Sequence, residues 1–308
     1  MAGMETPDPR PTDRTFAAAG LMAGYAVIIG VTDNYVRVIA SEAGLWQFHA
    51  TRSVMAVVLL IAAAGVMGLR LRPIRMGAVV ARSLLHGSAM LVYFGALAFL
   101  PVALVAAGLF TAPIFVLLIS GLVYRQPIGA AQMFAVALGF GGVVLVLGSE
   151  AVSGASLAAV LPVLAGAMYA LGNIATRQWC AQESAATLVA GFFVALGVMG
   201  TIGMAVLTVM PLAVSDGAAG FLQRGPVMPG AAVWGLMALQ AVGSVVGVGM
   251  MVRAYQLVTA ARASVFEYLI LPASALWGWV IWGEVLSHWA LIGMALIAAA
   301  GVLISLRR

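Results

Sequence analysis

The chain has 308 residues, of which 64% are hydrophobic and only 8% charged, and its mean hydropathy is +1.11. A soluble domain carries about a quarter charged residues, so this composition excludes a chain solvated by water along its length. All fifteen basic residues are arginine, which excludes a lysine-bearing phosphate loop and with it ATP-driven pumping within the chain, and the net charge of +5 sits in arginines beside apolar runs rather than in a nucleic-acid patch.

Residues 1–15, rich in proline and charge, read as a disordered cytoplasmic tail. A helix needs roughly 20 apolar residues to cross the hydrocarbon core. Measured against that length, the runs at 16–39, 46–69, 77–99, 101–124, 128–148, 156–179, 184–210, 230–252, 261–283 and 286–306 predict ten transmembrane helices. The first run is longer than a signal-peptide core and is taken as a retained helix. Short connections at Leu100-Pro101 and at Gly283 to Leu286 predict antiparallel hairpins, whereas Pro211 to Pro229 has room for a short surface helix or an ordered flap. The predicted fold class is therefore all-α and polytopic.

An even helix number puts both termini on one side. With that side cytoplasmic, the inner segments collect Arg10, Arg14, Arg70, Arg72, Arg75, Arg125, Arg177, Arg253, Arg307 and Arg308, and the outer loops little besides Arg224. Basic residues favour the cytoplasmic face, so the expectation is a multi-pass protein of the bacterial inner membrane with both termini inside. Two halves, 16–150 and 151–308, then hold five helices each, and an odd number inverts the second copy. Pro113 and Pro272 interrupt the fourth and ninth helices, and the same distance leads from each to a Gly-Val pair, Gly142-Val143 and Gly301-Val302. Asp33 and Arg37 in the first helix are matched by Asn173 and Arg177 in the sixth, each pair one helical turn apart. Gly20 with Gly24 and Gly243 with Gly247 have the spacing that lets helices approach closely.

Further residues carry a resemblance: Arg52 in the second helix, Tyr93-Phe94-Gly95-Ala96-Leu97 leading to Pro101, Ala112-Pro113-Ile114-Phe115, and in the second half Ala254-Tyr255-Gln256, Leu271-Pro272 and Gly283-Glu284. On these the chain resembles the EamA family of ten-helix carriers in the drug/metabolite transporter superfamily over about residues 16 to 306. It departs where Arg125-Gln126 replace the glutamate usual before the fifth helix, which makes Glu284 an expected end-cap. The resemblance implies a secondary carrier of small metabolites, often outward, with a central cavity and no bound cofactor.

Charged groups inside a span are costly and usually face a cavity or a partner. Glu267 is the deepest acid, near Pro272, and is either a ligand for a substrate amine, a carboxyl whose protonation is linked to transport, or one partner of an ion pair with an arginine. Asp33 and Arg37 form either a structural pair or an outer gate. Arg52 neutralises Asp33 or Glu42, or holds a substrate carboxylate. Arg82, His86 and Tyr93 make a polar stripe on the third helix, with His86 either a packing residue or a proton relay. Tyr93 and Trp277 are placed on the cavity wall, Asn173 with the binding or coupling groups, and Arg82, Arg177 and Arg262 with the gate or ion-pair set. Pro113 and Pro272 are expected to kink their helices at the cavity and free a carbonyl for a ligand.

Three scattered histidines and one cysteine, Cys180, offer no metal cluster. The partners expected are the lipid bilayer and a small-molecule substrate, with the chain a monomer or homodimer. The leading function is export of an amino acid or derivative by alternating access. Its rivals are an importer of a vitamin or nucleoside-like compound, and, from another class, an intramembrane enzyme or a membrane scaffold.

Overall fold

The computed structural model describes residues 11–97, 100, 102–148, 158, 160–216 and 220–306. Residues 1–10, Pro101, Arg307 and Arg308, which figured in the expected tail, hairpin and inner arginine set, lie outside the described residues. Regular structure among the described residues is helical: α1 (Pro11–Asp33), α2 (Val36–Glu42), α3 (Leu45–Met67), α4 (Met76–Ala96), α5 (Val102–Leu109), α6 (Ala112–Leu122), α7 (Ala130–Leu147), α8 (Val160–Gln178), α9 (Ala185–Val209), α10 (Ala231–Leu257), α11 (Ala260–Glu267), α12 (Ile270–Trp282) and α13 (His288–Leu306). Nine stretches among them are long and apolar enough to cross a membrane. The 19-residue α8 is not one of the nine, because Asn173, Thr176 and Arg177 dilute its apolar run.

Residues 11–15 depart from the expected tail and form the start of α1. A proline at the first helical position costs no hydrogen bond, since that N–H has no partner in a helix.

Three of the long stretches are broken. α1 gives way to α2 at Asn34-Tyr35, where the Asn34 side-chain amide donates to Gly30 O at 2.8 Å and to Ser274 O at 3.0 Å. α5 gives way to α6 at Phe110-Thr111, where the Thr111 hydroxyl donates to Gly108 O at 2.6 Å. α11 gives way to α12 at Tyr268-Leu269, where Leu269 N and Leu271 N donate to the carbonyls of Phe266 and Tyr268. Pro113 and Pro272 fall in the first turn of the helix that restarts, where a missing N–H is tolerated. They permit the breaks without lining the cavity between them.

Outer faces are as apolar as the core: Val54, Val58 and Ile61 of α3 and Val194, Val198, Ile202 and Val206 of α9 are exposed, as lipid-facing residues are. Inside the bundle α1 packs on α10 and α8 on α4, while α3 packs on α9 and α7 on α13. The last contact needs glycine on both sides, since a methyl at Gly142 would sit 2.6 Å from Gly293 O and one at Gly293 2.5 Å from Gly142 O. Gly243 and Gly247 likewise meet Thr32 and Ile29 where α10 crosses α1, whereas Gly20 faces open space.

The described residues of the long connection between α9 and α10 pack on the bundle as a flap. Phe221 is buried against Phe48 and Phe94, Arg224 donates to Ala40 O and Ala43 O, and Gln47 exchanges two hydrogen bonds with the backbone of Val227. At the opposite end Glu183 is 4% exposed and accepts from Ile74 N and Arg75 N, with Arg70 at 3.9 Å. That carboxylate staples the α3–α4 turn to the α8–α9 turn. Cys180 in the latter turn is buried, and burial holds its thiol above the usual range.

Candidate functional site

A cavity of about 750 Å³ runs through the bundle centre from the α12–α13 turn inward. Glu267, Arg52, His86 and Tyr93 all line it, from α11, α3 and α4, and so does Asp33 at the end of α1. The remaining wall is mostly apolar, with Met90, Phe110, Phe192 and Met251 among its members. Leu109 and Phe110 at the break after α5, and Ile270 and Leu271 at the break after α11, also line this space.

Glu267 ends a directional hydrogen-bond chain. His86 Nε2 donates to Asn173 Oδ1 at 2.9 Å, and Asn173 Nδ2 donates to Glu267 Oε1 at 2.7 Å and to the Tyr255 hydroxyl at 3.1 Å. Tyr255 in turn donates to Glu267 Oε1 at 2.5 Å. Every proton in the chain points towards Glu267 Oε1, which is its terminal acceptor. Glu267 therefore differs from the expected ion-pair alternative: no arginine lies in salt-bridge range of it among the described residues. Asn173 is fully buried behind the wall and reaches the cavity only through Glu267 and His86.

Arg52 defines a second polar place. It is 4% exposed, and its Nη1 donates to Gln240 Oε1 at 3.4 Å while Nη2 donates to His49 Nδ1 at 3.2 Å. The guanidinium lies over the Phe48 ring at 4.6 Å, and its Nε has no partner. Neither Asp33 nor Glu42 pairs with it directly. Gln240 stands between, donating to Thr32 O at 2.8 Å and Asp33 Oδ1 at 3.3 Å, and Glu42 instead accepts from Gly230 N at the start of α10.

Several expectations are corrected. Asp33 and Arg37 do not pair, because the turn at Asn34-Tyr35 destroys their shared helix face. Arg37 meets Glu284 at 2.9 Å instead and lies over Trp282, so Glu284 closes a contact across the cavity mouth rather than capping its own helix. Trp277 is not on the cavity wall: its indole N–H donates to Val27 O on α1. Arg82 is fully buried between α4, α8 and α9, donating to Thr176 Oγ1 and Leu188 O, and it makes no ion pair among the described residues. The stripe of Arg82, His86 and Tyr93 thus splits, with Arg82 behind the wall. Arg177 donates to Gln256 O, and Arg262 at the start of α11 makes no ion pair among the described residues.

Sequence reasoning passed over His49, Gln240 as a bridge, Tyr255 as a partner of Glu267, and Glu183. Gln240, Tyr255 and Glu183 act through partners on other elements, which no spacing along one helix reveals, whereas His49 lies one turn before Arg52 on α3 itself. Among the described residues no three His, Cys, Asp or Glu side chains cluster as metal ligands would.

A lipid-facing helical bundle around one polar-lined cavity, with helices broken beside it, is the architecture of a membrane carrier. Residues 17–148 match the EamA-like transporter family. The chain is similar to the pseudopaline exporter CntI of Pseudomonas aeruginosa strain UCBPP-PA14, with 27% identity over 213 residues covering 69% of each chain. It is also similar to the riboflavin transporter of Rhizobium johnstonii, with 28% identity over 208 residues, 68% of this chain and 63% of that one. A solved crystal structure shares its fold with TM-score 0.76 over 94% of this chain and 98% of the other, at 19% identity.

Proposed function

We propose that the protein is a secondary carrier of the bacterial inner membrane that exports a small amphipathic metabolite, an amino acid or a derivative of one, by alternating access. In this reading ten spans form two inverted five-helix repeats, residues 16–150 and 151–308, with both termini cytoplasmic. The packing supports it: α1 on α10 has its counterpart in α8 on α4, and the paired breaks beside Pro113 and Pro272 flank the cavity. Rocking one half against the other would open the site to either side in turn.

One observation carries the substrate class. The single acid deep in the cavity, Glu267, is held by Asn173 and Tyr255 and by no cation, so a substrate ammonium supplies the missing positive charge. Purified protein in liposomes, offered a panel of amino acids and derivatives with and without a pH gradient, tests this. Flux of amine-bearing compounds supports the reading, and absence of flux across the panel together with a stable partner on purification would sink it.

Import of a vitamin-like compound is the second reading, favoured by the similarity to a riboflavin transporter. Accumulation in cells lacking the protein separates the two: a raised internal pool means export, and lowered uptake means import.

A further inference from the structure

The polar groups of the cavity are not one cluster. Arg52, with Gln240, His49 and Asp33, sits beside Phe94 near the C-terminal end of α4, since its guanidinium lies 6.0 Å from that ring. His86, Asn173, Tyr255 and Glu267 form the other group. His86 and Phe94 are eight residues apart on one unbroken helix, a rise of about 12 Å. Gln240 and Tyr255 are fifteen residues apart on α10, also unbroken, a rise of about 22 Å. Between these levels the wall is formed by Met90, Tyr93, Val248 and Met251.

Arg52 has the marks of an unfilled anion subsite. It is a buried cation with no acid in contact, one long hydrogen bond to a neutral amide, a second to an imidazole, and one N–H without any partner. A buried guanidinium left this way is costly unless an anion completes it, and this one faces the cavity. His49 accepts from Nη2 through Nδ1 and packs edge-on against Phe94, which fixes the guanidinium plane. His49 is thus a positioning residue.

We infer that the cavity takes an elongated substrate bearing a carboxylate at one end, bound by Arg52, and an ammonium at the other, bound by Glu267, with an apolar body between them. The inference rests on the carrier reading and narrows it, because a short α-amino acid, whose charges are adjacent, cannot engage both groups at once.

The ω-amino acids are a ruler for this. Binding of ω-aminobutanoate, ω-aminooctanoate and ω-aminododecanoate to the purified protein in detergent is followed by tryptophan fluorescence, and liposome flux of the same compounds is measured in parallel. Affinity is expected to peak at the octanoate, whose extended length is on the order of 10 Å, and to exceed that of the butanoate by at least about tenfold. Affinity that is flat, or that rises steadily with chain length, overturns the inference. If short α-amino acids are nevertheless carried, the carrier reading stands without it.

Two variants assign the ends and serve as folding controls for each other. Arg52→Gln is expected to weaken octanoate on the order of tenfold and leave octylamine unchanged, and Glu267→Gln to do the reverse. His49→Phe should weaken octanoate alone, which a merely structural role would not do. Equal losses for both probes in any of these variants, or no loss in either, contradict the assignment.

Discussion

The two breaks beside the cavity, between α5 and α6 and between α11 and α12, are filled in different ways. In α5, Gly108 lets the backbone press against α8, and a methyl there would lie 2.3 Å from Pro162 Cβ and 2.8 Å from the Pro162 carbonyl carbon. In α11 the residue at the same distance before Pro272 is Glu267, which receives two hydrogen bonds while facing the cavity. One break is occupied with close packing and the other with charge. A single charged group beside one of the breaks is enough to make the cavity chemically asymmetric.

The difference is sharpest in what each position tolerates. Gly108→Ala is expected to cause the largest loss, about 3 kcal/mol of stability, because its neighbours are backbone and a proline ring that cannot swing aside. Thermal unfolding of the purified variant in detergent measures this. A variant of wild-type stability would show that α5 does not rest on α8 as described.

Glu267→Gln should behave in the opposite way. The amide oxygen can still accept from Asn173 and Tyr255, so folding is expected to be unchanged, while flux of an ammonium-bearing substrate falls by about 2 kcal/mol in transition-state terms, on the order of thirtyfold. If Glu267 is also the coupling group, a pH gradient that drives wild-type flux will no longer affect the variant. His86, Tyr25, Tyr169 and Tyr255 are the other titratable groups around it, and a surviving pH response would move the coupling to one of them or to Asp33.

Tyr255→Phe is expected to be milder. It removes one donor from Glu267 Oε1 and leaves the Asn173 amide in place, at a cost of about 1 kcal/mol, seen as a several-fold drop in flux. A loss equal to that of Glu267→Gln would mean that the phenol itself contacts the substrate.

How much of this was readable beforehand follows from which forces act along the chain and which act across it. Lipid demands long apolar runs, so the helices stood out, and proline cannot donate, so the restarts near Pro113 and Pro272 did as well. The break at Asn34-Tyr35 did not, because a side-chain amide bonded to Ser274 on another helix takes the place of a proline. Glu267 and Arg52 were visible as charges where charge is costly. His49 stands one turn from Arg52 on the same helix, and that pair was open to a reading of the spacing. The partner of Glu267 was not, because Tyr255 looks like an ordinary aromatic residue until α10 and α11 bring the two together. Trp277 was misplaced for a related reason, since its direction follows from how α12 packs on α1 and not from its distance to Pro272.

The smallest expected effect lies at the cavity mouth. Arg37 and Glu284 meet at 2.9 Å, but their side chains remain 49% and 53% exposed, and an exposed pair contributes little because water competes for both charges and salt screens them. Arg37→Gln should therefore change stability by no more than about 0.5 kcal/mol, and flux by less than about twofold, with both differences shrinking as salt is raised. The stacking of Arg37 on Trp282 is lost as well, and tryptophan fluorescence would report it. A drop in flux as large as that of Glu267→Gln, persisting at high salt, would make the mouth contact part of the transport cycle. The functional asymmetry would then belong to the link between α2 and the α12–α13 turn, and not to the acid at the end of α11.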